Sequence, residues 1–162
     1  MKYQPRKGFS SNDVVMTPWG LASGIVDHFR PAGALLDPCM GGGAFYDALK
    51  QWSEDVSWCE ISDGRDFFDW DTPVDWIITN PPWSQIRPFL HHGMQLASNV
   101  VFLMTVNHAW TKARIRDMKD MGFGIREILL VDSPKEFPAS GFQLGAVHYK
   151  AGWTGETKIT TL

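Results

Sequence analysis

Short apolar runs alternate with segments of helical periodicity along most of this chain, and this alternation constrains the fold more than any other feature. Runs such as "ALLD" and "NVVFLMTVN" are continuously apolar until their last residues, which is typical of strands buried on both faces. Between such runs lie segments such as "AFYDALKQW" and "AWTKARIRDMKDMG", whose apolar residues recur at helical spacing. The alternation predicts a parallel α/β sheet.

The order of the segments also predicts the topology. Right-handed crossovers between parallel strands place helices on both faces of the sheet, which gives a three-layer sandwich. The two late runs "IREILLVD" and "LGAVHYKAGW" have no helix between them, so the last strand is expected to insert antiparallel. We therefore predict one domain over residues 1–162 with a mostly parallel sheet of about seven strands. Residues 1–16 form a polar N-terminal arm before the first predicted helix.

Composition narrows the cellular setting. No apolar run approaches the ~18 residues of a membrane span. The chain has two cysteines, Cys39 and Cys59, and no CxxC pair, which favours reduced thiols in a cytoplasmic protein. Its five histidines are scattered, so no metal site is expected. A net charge of −3 argues against tight, freestanding nucleic-acid binding but leaves room for a local basic patch.

Polar residues stand where the predicted strands end, at the edge where open α/β sheets bind ligands. Glycines follow the first strand in "DPCMGGGAF", and such a turn lets backbone approach a ligand closely. Glu60 ends the next strand, where an acid can accept hydrogen bonds from ribose hydroxyls. Asp66 could accept from an adenine amino group. These features together indicate an adenosine-containing cofactor, although a tight turn, a solvated strand-end charge and a helix cap would explain them singly.

The glycine spacing distinguishes between cofactors. Gly41 and Gly43 fit the beginning of a dinucleotide-binding motif, but Tyr46 stands where that motif requires a third glycine. A nicotinamide-dependent oxidoreductase is therefore disfavoured, and the pattern favours a cofactor without a pyrophosphate.

The most specific element is "IITNPPWSQ", a strand that runs into Asn80, two prolines and Trp83. A proline-rich strand exit with a packing tryptophan is the plain interpretation. Beside the glycine loop, however, the chain resembles class I S-adenosylmethionine-dependent amino-methyltransferases from about Thr17 to Trp153. It is most similar to adenine-N6 DNA methyltransferases of a small, phage-type layout. "DPCMGGGAF" looks like their cofactor loop, "NPPW" like their catalytic tetrapeptide, and "TPWGLA" like the segment beside the methionine end.

The resemblance implies a Rossmann-like methyltransferase fold with S-adenosyl-L-methionine as cofactor. The implied cofactor-binding residues are Thr17, Pro18, Asp37, Pro38, Cys39, Gly41, Gly43, Phe45, Glu60, Ile61, Asp66, Phe67 and Asn80. The implied catalytic residues are Asn80, Pro81, Pro82 and Trp83. The Asn80 side-chain oxygen and the Pro81 carbonyl would accept the two N–H groups of the adenine amine. Trp83 would stack on the base.

The resemblance implies DNA as the acceptor, bound by Trp83, Lys112, Arg116 and Lys119. The three cations share one predicted helix face, which an ordinary solvated face explains equally well. The chain has no separate target-recognition domain, so specificity is either low or supplied by a partner subunit or a homodimer. RNA adenine and a protein glutamine amide remain alternative acceptors, and a catalytically silent, cofactor-binding subunit is a further alternative.

Overall fold

The computed structural model describes residues 14–162, which form a seven-stranded sheet flanked by helices. The strands are β1 (Leu35–Asp37), β2 (Val56–Trp58), β3 (Val74–Thr79), β4 (Ala97–Thr105), β5 (Phe123–Val131), β6 (Leu144–Ala151) and β7 (Lys158–Thr161). Their order in the sheet is β2-β1-β3-β4-β6-β5-β7. The first four strands are parallel, β6 is antiparallel to both β4 and β5, and β7 is parallel to β5.

The residues of the central strands alternate between two apolar cores, one on each face of the sheet. Ile77 of β3 is paired with Val100 of β4, and both lie in the core covered by α3 (Ile86–Leu96) and α4 (Lys112–Asp120). Their neighbours Ile78 and Val101 lie in the opposite core, covered by α1 (Trp19–Phe29) and α2 (Ala44–Leu49). This is the predicted three-layer sandwich.

The helix ends follow from local sequence. α1 begins after Pro18 and ends at Arg30, which adopts a left-handed conformation. No side chain caps the start of this helix. α4 is capped by Thr111, whose hydroxyl accepts a hydrogen bond from the backbone N–H of Arg114 at 3.2 Å. Short 3₁₀ turns follow β3 and β4, at Trp83–Gln85 and Val106–His108.

The structure confirms the predicted fold, a mixed sheet of seven strands with one antiparallel strand, but that strand is the sixth along the chain rather than the last. The segment 144–151 is antiparallel, as predicted, but it is followed by the short strand β7 at the sheet edge. β7 has no clear signal in the sequence, and its Ile159 is 64% exposed. Of the predicted arm, only Val14, Val15 and Met16 lie within the described residues. No helix within residues 14–162 combines the length and the apolar character that crossing a bilayer requires.

Candidate functional site

The polar residues predicted at the strand ends meet at one edge of the sheet. Asp37 is the last residue of β1, Glu60 follows β2, and Asn80 directly follows β3. Parallel pairing aligns these ends, because Asp37 is in register with Trp58 of β2 and Leu36 with Ile77 of β3. The candidate site therefore lies across the carboxyl ends of three adjacent strands.

Asp37 is fully buried beneath the site. One carboxyl oxygen, Oδ1, accepts hydrogen bonds from the Thr79 hydroxyl at 2.7 Å and from the Cys39 backbone N–H at 3.2 Å. The other oxygen, Oδ2, has no partner among the described residues. Burial raises the pKa of Asp37 to about 7, while the bonds from Thr79 and Cys39 and the nearby backbone N–H of Tyr46, which falls outside strict hydrogen-bond geometry, oppose the shift. The carboxyl is thus fixed beneath the glycine loop by Thr79 and by the backbone of the loop.

The loop after β1 brings backbone close to the site. Gly41 and Gly43 have φ values of 50° and 88°, a region that favours glycine. A Cβ at Gly41 would lie 3.2 Å from the Met16 sulfur, so a side chain would crowd the segment that precedes α1. Pro38 is buried, Cys39 is half-buried, and the thiols of Cys39 and Cys59 are free. Burial raises the pKa of Cys59 to about 11 and that of Cys39 well above its usual value.

Glu60 connects the first two strand ends. Its Oε2 accepts a hydrogen bond from the Gly41 backbone N–H at 2.8 Å, and its Oε1 accepts from the Ser62 N–H and hydroxyl at 3.2 and 3.1 Å. Each carboxylate oxygen can still accept from a ligand. Beside it, the Ile61 side chain is 74% exposed, which is unusual for a large apolar residue. The pair offers polar acceptors and an apolar surface next to the glycine loop.

Two predicted cofactor-binding residues are core residues in the structure. The Phe45 side chain packs in the α1–α2 core, and Phe67 lies edge-on to His92 at 4.7 Å between ring centroids. These rings stabilise the elements that carry the loop, and only the backbone of either residue is left for a ligand. Asp66 accepts from the Phe68 N–H at 3.0 Å, so it does cap the short turn Phe67–Asp69.

The amide of Asn80 is oriented by the segment before α1. Its Nδ2 donates to the Val15 carbonyl and to the Thr17 hydroxyl, both at 3.2 Å. Because a carbonyl can only accept, the amide nitrogen must face Val15 and the amide oxygen must face away. No donor among the described residues reaches that oxygen. These two bonds join the segment before α1 to the NPPW motif.

The remainder of the motif forms a rigid elbow. Pro81 is buried, and the Pro82 carbonyl accepts from the Gln85 N–H at 2.9 Å to close a turn. The half-buried Trp83 donates its indole N–H to the Leu103 carbonyl of β4 at 3.1 Å. Its ring lies edge-on to Phe137, with 6.0 Å between centroids. Trp83 is therefore fixed to the end of β4 and only partly available for stacking.

The predicted basic stripe is exposed on α4 but spreads away from the site. Lys112 begins the helix that follows β4, whereas Lys119 is near its far end and lines an open cavity of about 620 Å³ with Phe123 and Trp153. Arg116 is exposed between them. Only the Lys112 end of the stripe lies near the strand ends.

Two contributors to the site were missed from the sequence. Thr79 holds Asp37, and the only sequence signal for it is a hydroxyl residue at the end of a buried strand. Val15 contributes through its backbone carbonyl, for which side-chain identity gives no signal.

The sequence matches no protein-family model, and no curated protein matches it. Solved structures do match. A chain from Pyrococcus horikoshii, provisionally assigned as an RNA methyltransferase, is 18% identical with a TM-score of 0.68, over 91% of this chain and 94% of that one. A provisionally assigned class I S-adenosylmethionine-dependent methyltransferase from Listeria monocytogenes is 14% identical with a TM-score of 0.68, over 96% of this chain and 68% of that one.

The M protein of the type I restriction enzyme EcoKI is also similar, with 12% identity and a TM-score of 0.58, over 89% of this chain and 45% of that one. At these identities the likeness concerns the fold. The chain therefore has the fold of class I S-adenosylmethionine-dependent methyltransferases.

Proposed function

We propose that this protein transfers a methyl group from S-adenosylmethionine to the exocyclic N6 amine of adenine in DNA. The observation that carries the proposal is the orientation of Asn80. Its amide nitrogen is held by Val15 and Thr17, so its oxygen is left as an acceptor at the strand ends beside Pro81.

The residues at the edge of the sheet suit the cofactor. The glycine loop admits close backbone approach, Glu60 offers acceptors to ribose hydroxyls, and the exposed Ile61 offers an apolar surface to adenine. The buried Asp37 adds an unpartnered oxygen beneath the loop. When bound there, S-adenosylmethionine supplies an electrophilic methyl group on a sulfonium. The fold shared with S-adenosylmethionine-dependent methyltransferases supports the same choice.

Asn80 and Pro81 would activate the acceptor by hydrogen bonding. The lone pair of the adenine amine is delocalised into the ring, so the amine is a poor nucleophile. Two oxygens aimed at its two N–H groups favour a pyramidal nitrogen whose lone pair points at the methyl group. This interaction strengthens as the transition state forms, which is what catalysis requires.

Trp83 would contact the face of the adenine. Stacking of a base on an aromatic ring is worth ~1–3 kcal/mol. The indole is fixed by its bond to Leu103, so the stacking surface would be preorganised rather than mobile. In a duplex the target base must leave the stack before it can reach this elbow.

DNA is favoured by the similarity to a restriction-modification M protein, and RNA adenine is the second candidate because of the similarity to the Pyrococcus horikoshii chain. We further propose a cytoplasmic protein of low intrinsic specificity, sharpened by a partner subunit or by dimerisation.

The test is transfer of a labelled methyl group from S-adenosylmethionine to DNA, RNA and protein in parallel, followed by nucleoside and amino-acid analysis. We expect N6-methyladenine in DNA from the wild type and from Gln95→Ala, which alters an exposed amide on α3. Asn80→Ala should give none above background. Label in RNA adenine alone, or in protein glutamine alone, would contradict the DNA assignment, and label in no acceptor would favour a silent subunit.

A further inference from the structure

We infer that Trp110 and Phe142 form a stacking surface for the bases that flank the target adenine in single-stranded DNA. The inference rests on the proposed function and extends it to the way the acceptor is held. Both rings are large and exposed, Trp110 by 53% and Phe142 by 60%.

Both rings lie on the side of the NPPW elbow that is away from the glycine loop. Trp110 follows the 3₁₀ turn Val106–His108 at the carboxyl end of β4, the strand next to β3 and Asn80. Phe142 belongs to the loop 132–143, which connects the carboxyl end of β5 to the start of β6. A hydrogen bond of 2.8 Å from the Val106 N–H to the Gln143 carbonyl joins the two segments. The cofactor residues lie on the opposite side, at β1 and β2.

The backbone that carries Trp110 is held on both sides. Ahead of it, Ala109 is fully buried, and the His108 carbonyl accepts from Arg114 Nε at 3.2 Å. Behind it, Thr111 caps α4. An exposed indole on a fixed backbone loses little conformational entropy when it binds a ligand, which is the property expected of a binding aromatic.

The loop that carries Phe142 is joined to the motif itself. Phe137, in the same loop, is buried against the edge of Trp83. Gln143 donates from Nε2 to the carbonyls of Val131 and Leu144 at 2.9 and 2.8 Å, which fixes the end of the loop next to Phe142. The loop of Phe142 is therefore joined to Trp83 through Phe137, and the segment of Trp110 is joined to the same loop through the bond between Val106 and Gln143.

The chemistry of this surface favours nucleobases. Neither ring has an aromatic partner among the described residues, so their faces are available for stacking. Every base presents a π face, and unpaired bases are the ones that can reach such rings. Lys112 is exposed two residues after Trp110 and can meet a phosphate, while Asp132 and Glu136 are exposed in the loop. Stacking, rather than net charge, is the main attraction here.

The experiment measures binding by fluorescence anisotropy with labelled single-stranded oligonucleotides that carry one central adenine. One oligonucleotide has normal flanking bases, and the other has abasic sites on both sides of the adenine. The proteins are the wild type, Trp110→Ala, Phe142→Ala and the control Trp52→Ala. Trp52 is 38% exposed and lies just ahead of β2, at the opposite edge of the sheet.

We expect Trp110→Ala and Phe142→Ala each to weaken binding of the normal oligonucleotide about fivefold or more, and Trp52→Ala to change it less than twofold. Abasic flanks should weaken wild-type binding by a similar factor. On the abasic oligonucleotide the variants should bind nearly as well as the wild type, because the stacking contact with the flanking bases is already absent. The inference would be overturned if the two variants lost affinity by the same factor for both oligonucleotides, or if they lost less than twofold for the normal one. Absence of binding by the wild type would also overturn it.

Methyl transfer to the same oligonucleotides separates this inference from the proposed function. Wild-type transfer to adenine together with unchanged binding by the two variants would refute the stacking surface alone. Binding that depends on Trp110 and on the flanking bases, without any transfer, would refute the proposed reaction alone. Circular dichroism and thermal unfolding check that the variants remain folded, as expected for exposed side chains.

Discussion

At the scale of single residues, the site depends on how one amide is turned. Thr17 and Val15 hold the nitrogen of Asn80, so in the proposed reaction they determine that the amide oxygen faces the adenine amine. Only Thr17 acts through a side chain, which makes it the positioning residue that mutagenesis can address.

We predict that Thr17→Val lowers kcat about fivefold, the cost of one hydrogen bond of ~1 kcal/mol. Asn80→Ala removes the acceptor itself and should lower kcat by about 10²-fold or more. The measurement is steady-state transfer with saturating DNA and cofactor. Thr154→Val, which alters an exposed threonine after β6, is the control and should match the wild type. Equal loss in Thr17→Val and Asn80→Ala would mean that Thr17 does more than orient the amide.

Asp37 gives a prediction about pH. Burial raises its pKa in the folded protein from the ordinary 3.8 to about 7. Between these values the folded protein keeps a proton that the unfolded chain releases, so Asp37 lowers stability progressively as pH rises from about 4 to about 7. Asp37→Asn has no such proton. The stability of the variant relative to the wild type should therefore rise over this range, by on the order of 4 kcal/mol between pH 4 and pH 8, since each pKa unit corresponds to about 1.4 kcal/mol.

Urea unfolding without cofactor at pH 5, 6, 7 and 8 measures the difference. The exposed Asp120→Asn serves as a control for removing a carboxylate, and its difference from the wild type should stay nearly constant. A stability difference for Asp37→Asn that does not grow with pH would show that the buried carboxyl titrates in its ordinary range.

At the scale of elements, Glu60 ties the glycine loop to the end of β2 as well as offering acceptors. Glu60→Ala removes both functions and should weaken cofactor binding by ~1–3 kcal/mol. Ser62→Ala removes only one donor to Oε1 at 3.1 Å and should bind the cofactor nearly as the wild type does. Calorimetry with S-adenosylmethionine decides this, and unchanged affinity in a folded Glu60→Ala protein would remove Glu60 from the ribose site.

The elements that could be predicted from the sequence are those with strong periodicity. β3 ends in a short apolar run and β4 contains the longer run VVFLM, so burial of these parts on both faces could be predicted. β7 could not be predicted, because its sequence "KITT" is short and largely polar. Its only strand partner in the sheet is β5. An edge strand of this kind acquires its conformation from its neighbour rather than from its own pattern.

Within the site, the sequence predicted which strand ends carry polar residues, but it could not predict which atoms those residues contact. The strand ends place Asp37, Glu60 and Asn80 together by topology. Sequence alone could not tell that the Phe45 and Phe67 rings pack in the core, since an aromatic residue beside a ligand loop fits either environment. Nor could it find the bond between Asn80 and a backbone carbonyl 65 positions away.

At the scale of the whole molecule, the candidate cofactor residues and the exposed aromatic rings lie on opposite sides of β3. The β1 and β2 ends carry the candidate cofactor residues, the β4, β5 and β6 ends carry the exposed aromatic rings, and Asn80 stands between them at the end of β3. The described residues 14–162 are used for the sheet, its helices and short connections. Under the proposed function, the loops at this edge are the described segments that would contact DNA bases, and a partner would add to them.

This arrangement predicts a preference for adenines that are easily exposed. Extrusion of a paired base costs a few kcal/mol, and a chain of net charge −3 gains little from phosphates to offset that cost. Single-stranded DNA and duplexes with mismatched adenine should therefore be at least as good substrates as a perfect duplex of the same sequence. Initial rates on the three substrates test this, with an oligonucleotide already methylated at N6 as the blank. Modified-base mapping on random-sequence DNA should show weak preferences, and a single strict recognition sequence methylated by the pure monomer would contradict the prediction.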